Sequence, residues 1–142
     1  MDLMDSLKPF DNIKLSMIQD VDCSSLMSKT DAYICILDGI FGYSFKGPIK
    51  SELLPLFEGL KKTQIPIFSI DVPSGWDIES GNIYDTFVPA ANISLGSIKP
   101  LMKEFKGAHY FTDHFMPRKL LSHFNIINPV YEDPKKLFTI LH

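Results

Sequence analysis

The sequence predicts an α/β fold built on parallel strands, and two stretches carry that expectation. In the first, an apolar run from Tyr33 to Leu37 closes on Asp38 and leads into the loop Gly39-Ile40-Phe41-Gly42-Tyr43-Ser44-Phe45-Lys46-Gly47-Pro48. In the second, Pro66-Ile67-Phe68-Ser69-Ile70 closes on Asp71 and leads into Val72-Pro73-Ser74-Gly75-Trp76-Asp77. A segment with helical periodicity lies between them. Strand, loop, helix, strand is a βαβ unit, whose strands run parallel with a right-handed crossover. The loops at Asp38 and Asp71 then leave the same edge of one sheet, which is where open α/β sheets bind ligands. Two strands, each ending in an acid and a tight loop, point to one shared site.

Taken in order, the chain supports this frame. Ile13 to Ile18 alternates as a strand does, and Ser24 to Ser28 suits a short helical turn. The run Tyr33 to Leu37 reads as a buried strand. Pro48 suits the first turn of a helix, where a missing N–H is harmless. From Ile49 the apolar residues Leu53, Leu54, Leu56, Phe57 and Leu60 fall mostly on one helical face, and Lys50, Ser51, Glu52, Lys61 and Lys62 take the other. The helix should end near Lys62-Thr63, because Pro66 blocks its continuation. A turn is expected at Ser80-Gly81-Asn82 and a strand at Ala90 to Leu95. A short helix is expected around Met102 to Gly107, a strand at Ala108 to Phe111, and a second short helix from Pro117 to Phe124 with proline at its first position. The segment from Asn128 to His142 reads as an extended arm.

The composition excludes some functions. At 142 residues the chain has the size of one domain, and eleven Phe, five Tyr and one Trp can fill its core. A formal charge of −3 without clustered Lys or Arg argues against nucleic acid as the main partner. No apolar stretch approaches the length of a membrane span, and the acidic start Met1-Asp2-Leu3-Met4-Asp5 lacks a signal-peptide pattern. Cys35, within an apolar run, reads as a buried free thiol, and with Cys23 it fits a reducing compartment. His109, His114, His123 and His142 lack metal-ligand spacing.

Together the motifs D-G-I-F-G-Y-S-F-K-G-P at Asp38 to Pro48 and S-I-D-V-P-S-G-W-D at Ser69 to Asp77 resemble the NAD(P)HX epimerase family. Its members are also called YjeF N-terminal domains, and the animal member apolipoprotein A-I-binding protein. The segment I-S-L-G-S-I-K-P, Ile93 to Pro100, is similar to the family's strand before a K-P turn, and the resemblance runs from about Asp31 onward. It implies a Rossmann-like three-layer sandwich and the interconversion of the R and S epimers of hydrated NADH and NADPH. It implies a potassium ion held by Asp38 and Ser74, and a loop from Gly42 through Tyr43, Ser44, Phe45, Lys46 and Gly47 to Pro48 that wraps the dinucleotide. Asp71 is implied at the substrate, as the candidate for acid–base work. Cytoplasmic and mitochondrial locations both remain open, and the fold's analogy allows a homodimer.

These residue types suit that chemistry. A partly desolvated carboxylate can donate and accept a proton near a hydroxyl. A hard cation takes oxygen ligands such as Asp, Ser or carbonyls. Glycines let a backbone approach a pyrophosphate, and Lys46 adds a positive charge at the same place. One departure from the family is the absence of its asparagine- and glycine-rich loop, of the type G-x-G-N-N-G-G-D-G. No glycine precedes Asp31. The chain is therefore expected to form a single domain corresponding to the second half of the family's fold, with residues 1–30 a divergent segment.

Blander roles stand beside these. Asp38 and Asp71 can cap turns, Ser74 can be a turn serine beside Pro73, and Lys46 can be a solvated loop lysine. Tyr43 and Phe45 can stack on a ligand ring or pad the loop. Trp76 is expected in the core, with Asp77 and Asn82 in turns. Two functional classes follow: an epimerase, or a non-catalytic module that uses the fold to dimerise or to bind a nucleotide or protein. A generic dinucleotide-binding Rossmann domain is disfavoured, because the G-x-G-x-x-G fingerprint is missing.

Overall fold

The computed structural model describes residues 33–112, 117–125 and 138–141. The strand expected at Ile13 to Ile18, the helical turn at Ser24 to Ser28, and His114 and His142 lie outside the described residues. Among the described residues one sheet holds β1 (Ile36–Asp38), β2 (Ile67–Ile70), β3 (Ala91–Leu95), β4 (Ala108–Thr112) and β5 (Phe138–Leu141), in that spatial order. The first four strands run parallel, and β5 pairs antiparallel with β4. The end of the expected extended arm is thus a strand of the sheet.

Helix α1 (Leu54–Lys62) makes the crossover between β1 and β2. It starts later than Pro48 suggests. Lys50 is still extended, with ψ 145°, and a 3₁₀ turn over Ser51–Leu53 precedes the helix. Pro55, rather than Pro48, occupies the first turn. Phe57 and Leu60 on the inner face join Ile67 and Phe87 in one core cluster, against which Ile36, Phe41, Ile49, Leu53 and Leu56 pack. Leu54 lies off that stripe and faces solvent.

A second cluster joins Val72 and Trp76, from the loop after β2, to Leu101 and Met102. The latter two sit on a 3₁₀ helix, Pro100–Glu104, where the short helix after β3 was expected. Trp76 is a core residue, and its indole Nε1 donates to the Phe87 carbonyl at 3.0 Å, linking the two clusters. Between them the loop is pinned by Asn82, whose Oδ1 accepts from both the N–H and the hydroxyl of Thr86 at 2.8 and 2.9 Å. Helix α2 (Arg118–His123) has Pro117 as its N-cap rather than at its first position, so it begins one residue later than expected.

One expectation fails in an informative way. The run Tyr33 to Leu37 is not a strand buried on both faces. Only its end is β1, and Ile34 and Leu37 are 93% and 67% exposed. β1 stands at one edge in the strand order, so among the described residues its outer side pairs with no strand. Cys35 is half-buried and precedes the strand rather than lying within it. An apolar run signals burial only when both neighbouring positions in the sheet are filled.

The core makes a direct prediction. Phe87, 2% exposed and touching Phe57, should lose about 3–5 kcal/mol of stability as Phe87→Ala, while Leu54→Ala should stay within about 0.5 kcal/mol in the same urea unfolding series.

Candidate functional site

Asp38 ends β1 and is buried, with 2% of its surface exposed. Its carboxylate is satisfied by neutral donors. Oδ2 accepts from the Ser69 hydroxyl at 2.7 Å and from the Ser74 N–H at 2.9 Å, and Oδ1 accepts from the Ile40 N–H at 3.3 Å. Ser74 is also buried, and its Oγ accepts from the Phe41 N–H at 2.8 Å and lies 3.3 Å from the Phe41 carbonyl. The loops after β1 and β2 are therefore laced together through Asp38 and Ser74, as two parallel strands with a shared carboxyl edge allow. Gly75 makes this turn at φ +84°, and a Cβ there would lie 2.8 Å from Thr86 Cγ2 and 3.0 Å from Phe57 Cε1. Only glycine fits.

Asp71, at the end of β2, is held differently. Its φ is +73°, a left-handed conformation that non-glycine residues rarely adopt. Its N–H donates to the Ile93 carbonyl at 2.8 Å, and its carbonyl accepts from Asn92 Nδ2 at 3.3 Å. Its Oδ2 accepts from the Tyr43 N–H at 3.2 Å, and its Oδ1 is paired with the Lys99 ammonium. The Asp71 side chain retains 17% exposure, against 6% for Lys99.

The loop from Gly42 to Pro48 lies beside this pair. Phe45 N–H closes a turn onto the Gly42 carbonyl at 3.0 Å. The Phe45 ring stacks on Phe41 at 4.6 Å, with Tyr84 edge-on to it, so Phe45 pads the loop. Tyr43, Ser44, Lys46 and Pro48 are exposed. A Cβ on Gly42 would sit 3.5 Å from Asp71 Oδ2, an ordinary contact, so glycine is not demanded there by space. A Cβ on Gly47 would collide with the Tyr84 ring.

Lys99, Asn92, Ser94 and His109 extend this network, and of these the sequence singled out only His109, as a histidine without metal-ligand spacing. Strand register places Asp38, Ser69, Asn92 and His109 side by side across β1 to β4, hence on one face of the sheet. Asn92 Nδ2 donates to Ser94 Oγ at 3.2 Å, and Ser94 Oγ lies 2.8 Å from His109 Nε2. The Ser94 hydroxyl, already accepting from Asn92, can donate to a neutral His109. Asn92 Oδ1 is buried and finds no partner among the described residues. The available signal was the alternation of Asn92 and Ser94 within an otherwise apolar strand, which marks a polar stripe at period two. For Lys99 it was the lysine of the K-P turn itself.

The donors around Asp38 and Ser74 are carboxylate, hydroxyl and carbonyl oxygens. Among the described residues no three His, Cys, Asp or Glu side chains gather into a metal group, so an ion here would rely on hydroxyl and carbonyl oxygen as well. No helix among them is long and apolar enough to cross a membrane.

A parallel sheet whose neighbouring strands end in two acids, with their loops laced together, is the ligand-binding edge of a Rossmann-like α/β domain. The family described as YjeF-related protein N-terminus matches residues 2–101, a span that begins well before Asp31, and the chain belongs to it. It is 42% identical over 102 residues to a protein of Paramecium tetraurelia named NAD(P)H-hydrate epimerase, covering 72% of this chain and 44% of that one. Proteins of the same name from Dictyostelium discoideum and Entamoeba histolytica are 41% and 37% identical, with 76% and 85% of this chain and 46% and 54% of theirs covered. The crystal structure of yeast ynu0, YNL200c, superposes with a TM-score of 0.82 at 32% identity, over 97% of this chain and 58% of that one. The chain thus spans about half the length of the curated relatives it matches.

His109 gives stability a pH dependence of known sign. Burial lowers its pKa below the ordinary 6.5. The unfolded chain then binds the proton more readily than the folded one, so this residue subtracts stability as pH falls below 6.5. Urea midpoints measured at about pH 7.5 and 5.5 should fall less in His109→Gln than in the parent chain.

Proposed function

We propose that this chain carries part of the site of an NAD(P)H-hydrate epimerase, an isomerase that interconverts the R and S epimers of hydrated NADH and NADPH. The observation that carries the reading is Asp71, a partly exposed carboxylate at a strand end, oriented by Lys99 and the Tyr43 N–H beside the Gly42–Pro48 loop. Relatives that bear this name, at 37–42% identity, support it.

In such a substrate the hydroxyl-bearing carbon adjoins the ring nitrogen. Inversion there proceeds by loss and return of the hydroxyl, or by ring opening and reclosure. Either route needs a group that gives up and takes back a proton at the hydroxyl oxygen, and Asp71 takes that role. The Gly42–Pro48 loop would lie along the dinucleotide, with the exposed Tyr43 ring available for stacking and Lys46 for a phosphate. Asp38 and Ser74 would hold a potassium ion, their all-oxygen donor set being of the kind a hard cation takes. That ion would supply a fixed positive charge at this edge of the sheet.

A second reading has its own support. Ile34, Leu37, Ile40 and Tyr43 expose apolar surface at the β1 end of the sheet, as a module that dimerises or binds another polypeptide would.

Supplied with one hydrate epimer and potassium, the chain is expected to convert it to the other, and Asp71→Asn should slow conversion by about 10²-fold or more. If a folded chain converts neither epimer, as followed by chiral separation, then these residues do not make up the whole site by themselves or the binding module is their function.

A further inference from the structure

We propose that Lys99 is the positioning residue of this site, fixing the Asp71 carboxylate in the single orientation from which it works. The proposal rests on the epimerase reading for the meaning of "works", and on geometry alone for the positioning.

The chain goes out of its way to place this ammonium. After β3 it turns sharply at Leu95-Gly96-Ser97: Ser97 N–H donates to the Leu95 carbonyl at 2.7 Å, and Gly96 has φ +68°. The turn brings Lys99 within reach of both the Leu95 carbonyl at the end of β3 and Asp71 after β2. The following 3₁₀ helix is anchored by Leu101 N–H on the Ile78 carbonyl at 3.1 Å, and by Leu101 and Met102 in the core beside Val72 and Trp76. Lys99, between turn and anchor, has little freedom. Its Nζ donates to the Leu95 carbonyl at 2.8 Å and to Asp71 Oδ1, and the residue is 6% exposed.

A lysine that deep is uncommon unless paired. The Leu95 carbonyl fixes where Nζ sits, so Nζ in turn fixes Oδ1. With Oδ1 held, Oδ2 points at the Tyr43 N–H and hence at the Gly42–Pro48 loop. Without Lys99 one donor among the described residues remains on the carboxylate, a 3.2 Å bond from an exposed loop residue, and the carboxylate is free to turn. Lys99 therefore acts through Asp71 and sets the geometry between that acid and the dinucleotide loop.

The test uses the 142-residue chain and two readouts. Hydrogen exchange at the Tyr43 amide reports the orientation of Asp71 without reference to activity. Exchange should quicken by about tenfold in Lys99→Met, as in Asp71→Ala, and stay near the parent rate in Lys99→Arg. Where turnover is measured, Lys99→Met should lower kcat by about 10- to 100-fold with KM within about threefold, the signature of a misplaced reacting group. Unchanged Tyr43 exchange in Lys99→Met, or in Asp71→Ala, would overturn the proposal, and so would a raised KM with kcat intact. If Lys99→Met does not fold, Asp71→Asn/Lys99→Met, which leaves no lone charge, should refold. A double variant equally unfolded would show that Lys99 serves the fold independently of Asp71. A chain without epimerase turnover still yields the Tyr43 result, so the two readings fail separately.

Discussion

The buried carboxylate of Asp38 is the constraint from which the rest of the site follows. A carboxylate this deep is costly unless every lone pair finds a donor, and among the described residues no cation pairs with it. The fold supplies neutral donors: a hydroxyl from the adjoining strand and backbone N–H groups from two loops. Turning the Ser74 N–H inward has consequences. It leaves the Ser74 hydroxyl to hold Phe41, puts Gly75 in a left-handed turn with no room for a Cβ, and lets Phe41 lie over Phe57 at 6.0 Å. One charge thereby connects strand, turn and core.

The two strand-end acids sit in different environments because their partners differ. Asp38 is closed in and satisfied by dipoles. Asp71 keeps part of its surface, pairs with the Lys99 ammonium, and sits in a backbone conformation that is retained only when its surroundings over-determine it. Four interactions do so: the Ile93 carbonyl, the Asn92 amide, the Tyr43 N–H and Lys99. Removing one member of such a buried pair typically costs about 3–5 kcal/mol, chiefly because the other charge is left alone. A closed, ordered Asp38 and a partly open Asp71 are compatible on one sheet edge because the first needs no mobile partner.

Much of this was legible in the sequence, and the exceptions share a cause. Strands ending on Asp38 and Asp71, the crossover helix, the strands at Ala91–Leu95 and Ala108–Thr112, and a core Trp76 all follow from local pattern: period, turn residues and proline placement. The helix start was misplaced because two prolines, Pro48 and Pro55, both satisfy the local rule and only packing decides between them. The run Tyr33 to Leu37 looked buried because apolarity does not say whether a neighbouring strand exists. The contacts of Asn92, Ser94, His109 and Lys99 escape local pattern for a deeper reason. Their meaning lies in register and in a loop that doubles back, and neither is a property of any window of sequence.

That satisfied network also bears on the proposed ion. Asp38 Oδ2 already carries two hydrogen bonds of 2.7 and 2.9 Å, so a cation has little to gain there. The looser oxygen is Oδ1, whose only donor among the described residues is the Ile40 N–H at 3.3 Å. Ion binding at Asp38 would therefore compete with the backbone of the β1 loop and not with the lacing to Ser69 and Ser74. The Ser74 hydroxyl and the Phe41 carbonyl, 3.3 Å apart, lie on the same loop junction. A hard cation drawing on these oxygens would pull on Ile40 and Phe41, two and one residues ahead of Gly42. The loop proposed to follow the dinucleotide begins there, so occupancy of the ion and the shape of that loop would be coupled through the Asp38 and Ser74 side chains and the backbone groups they hold.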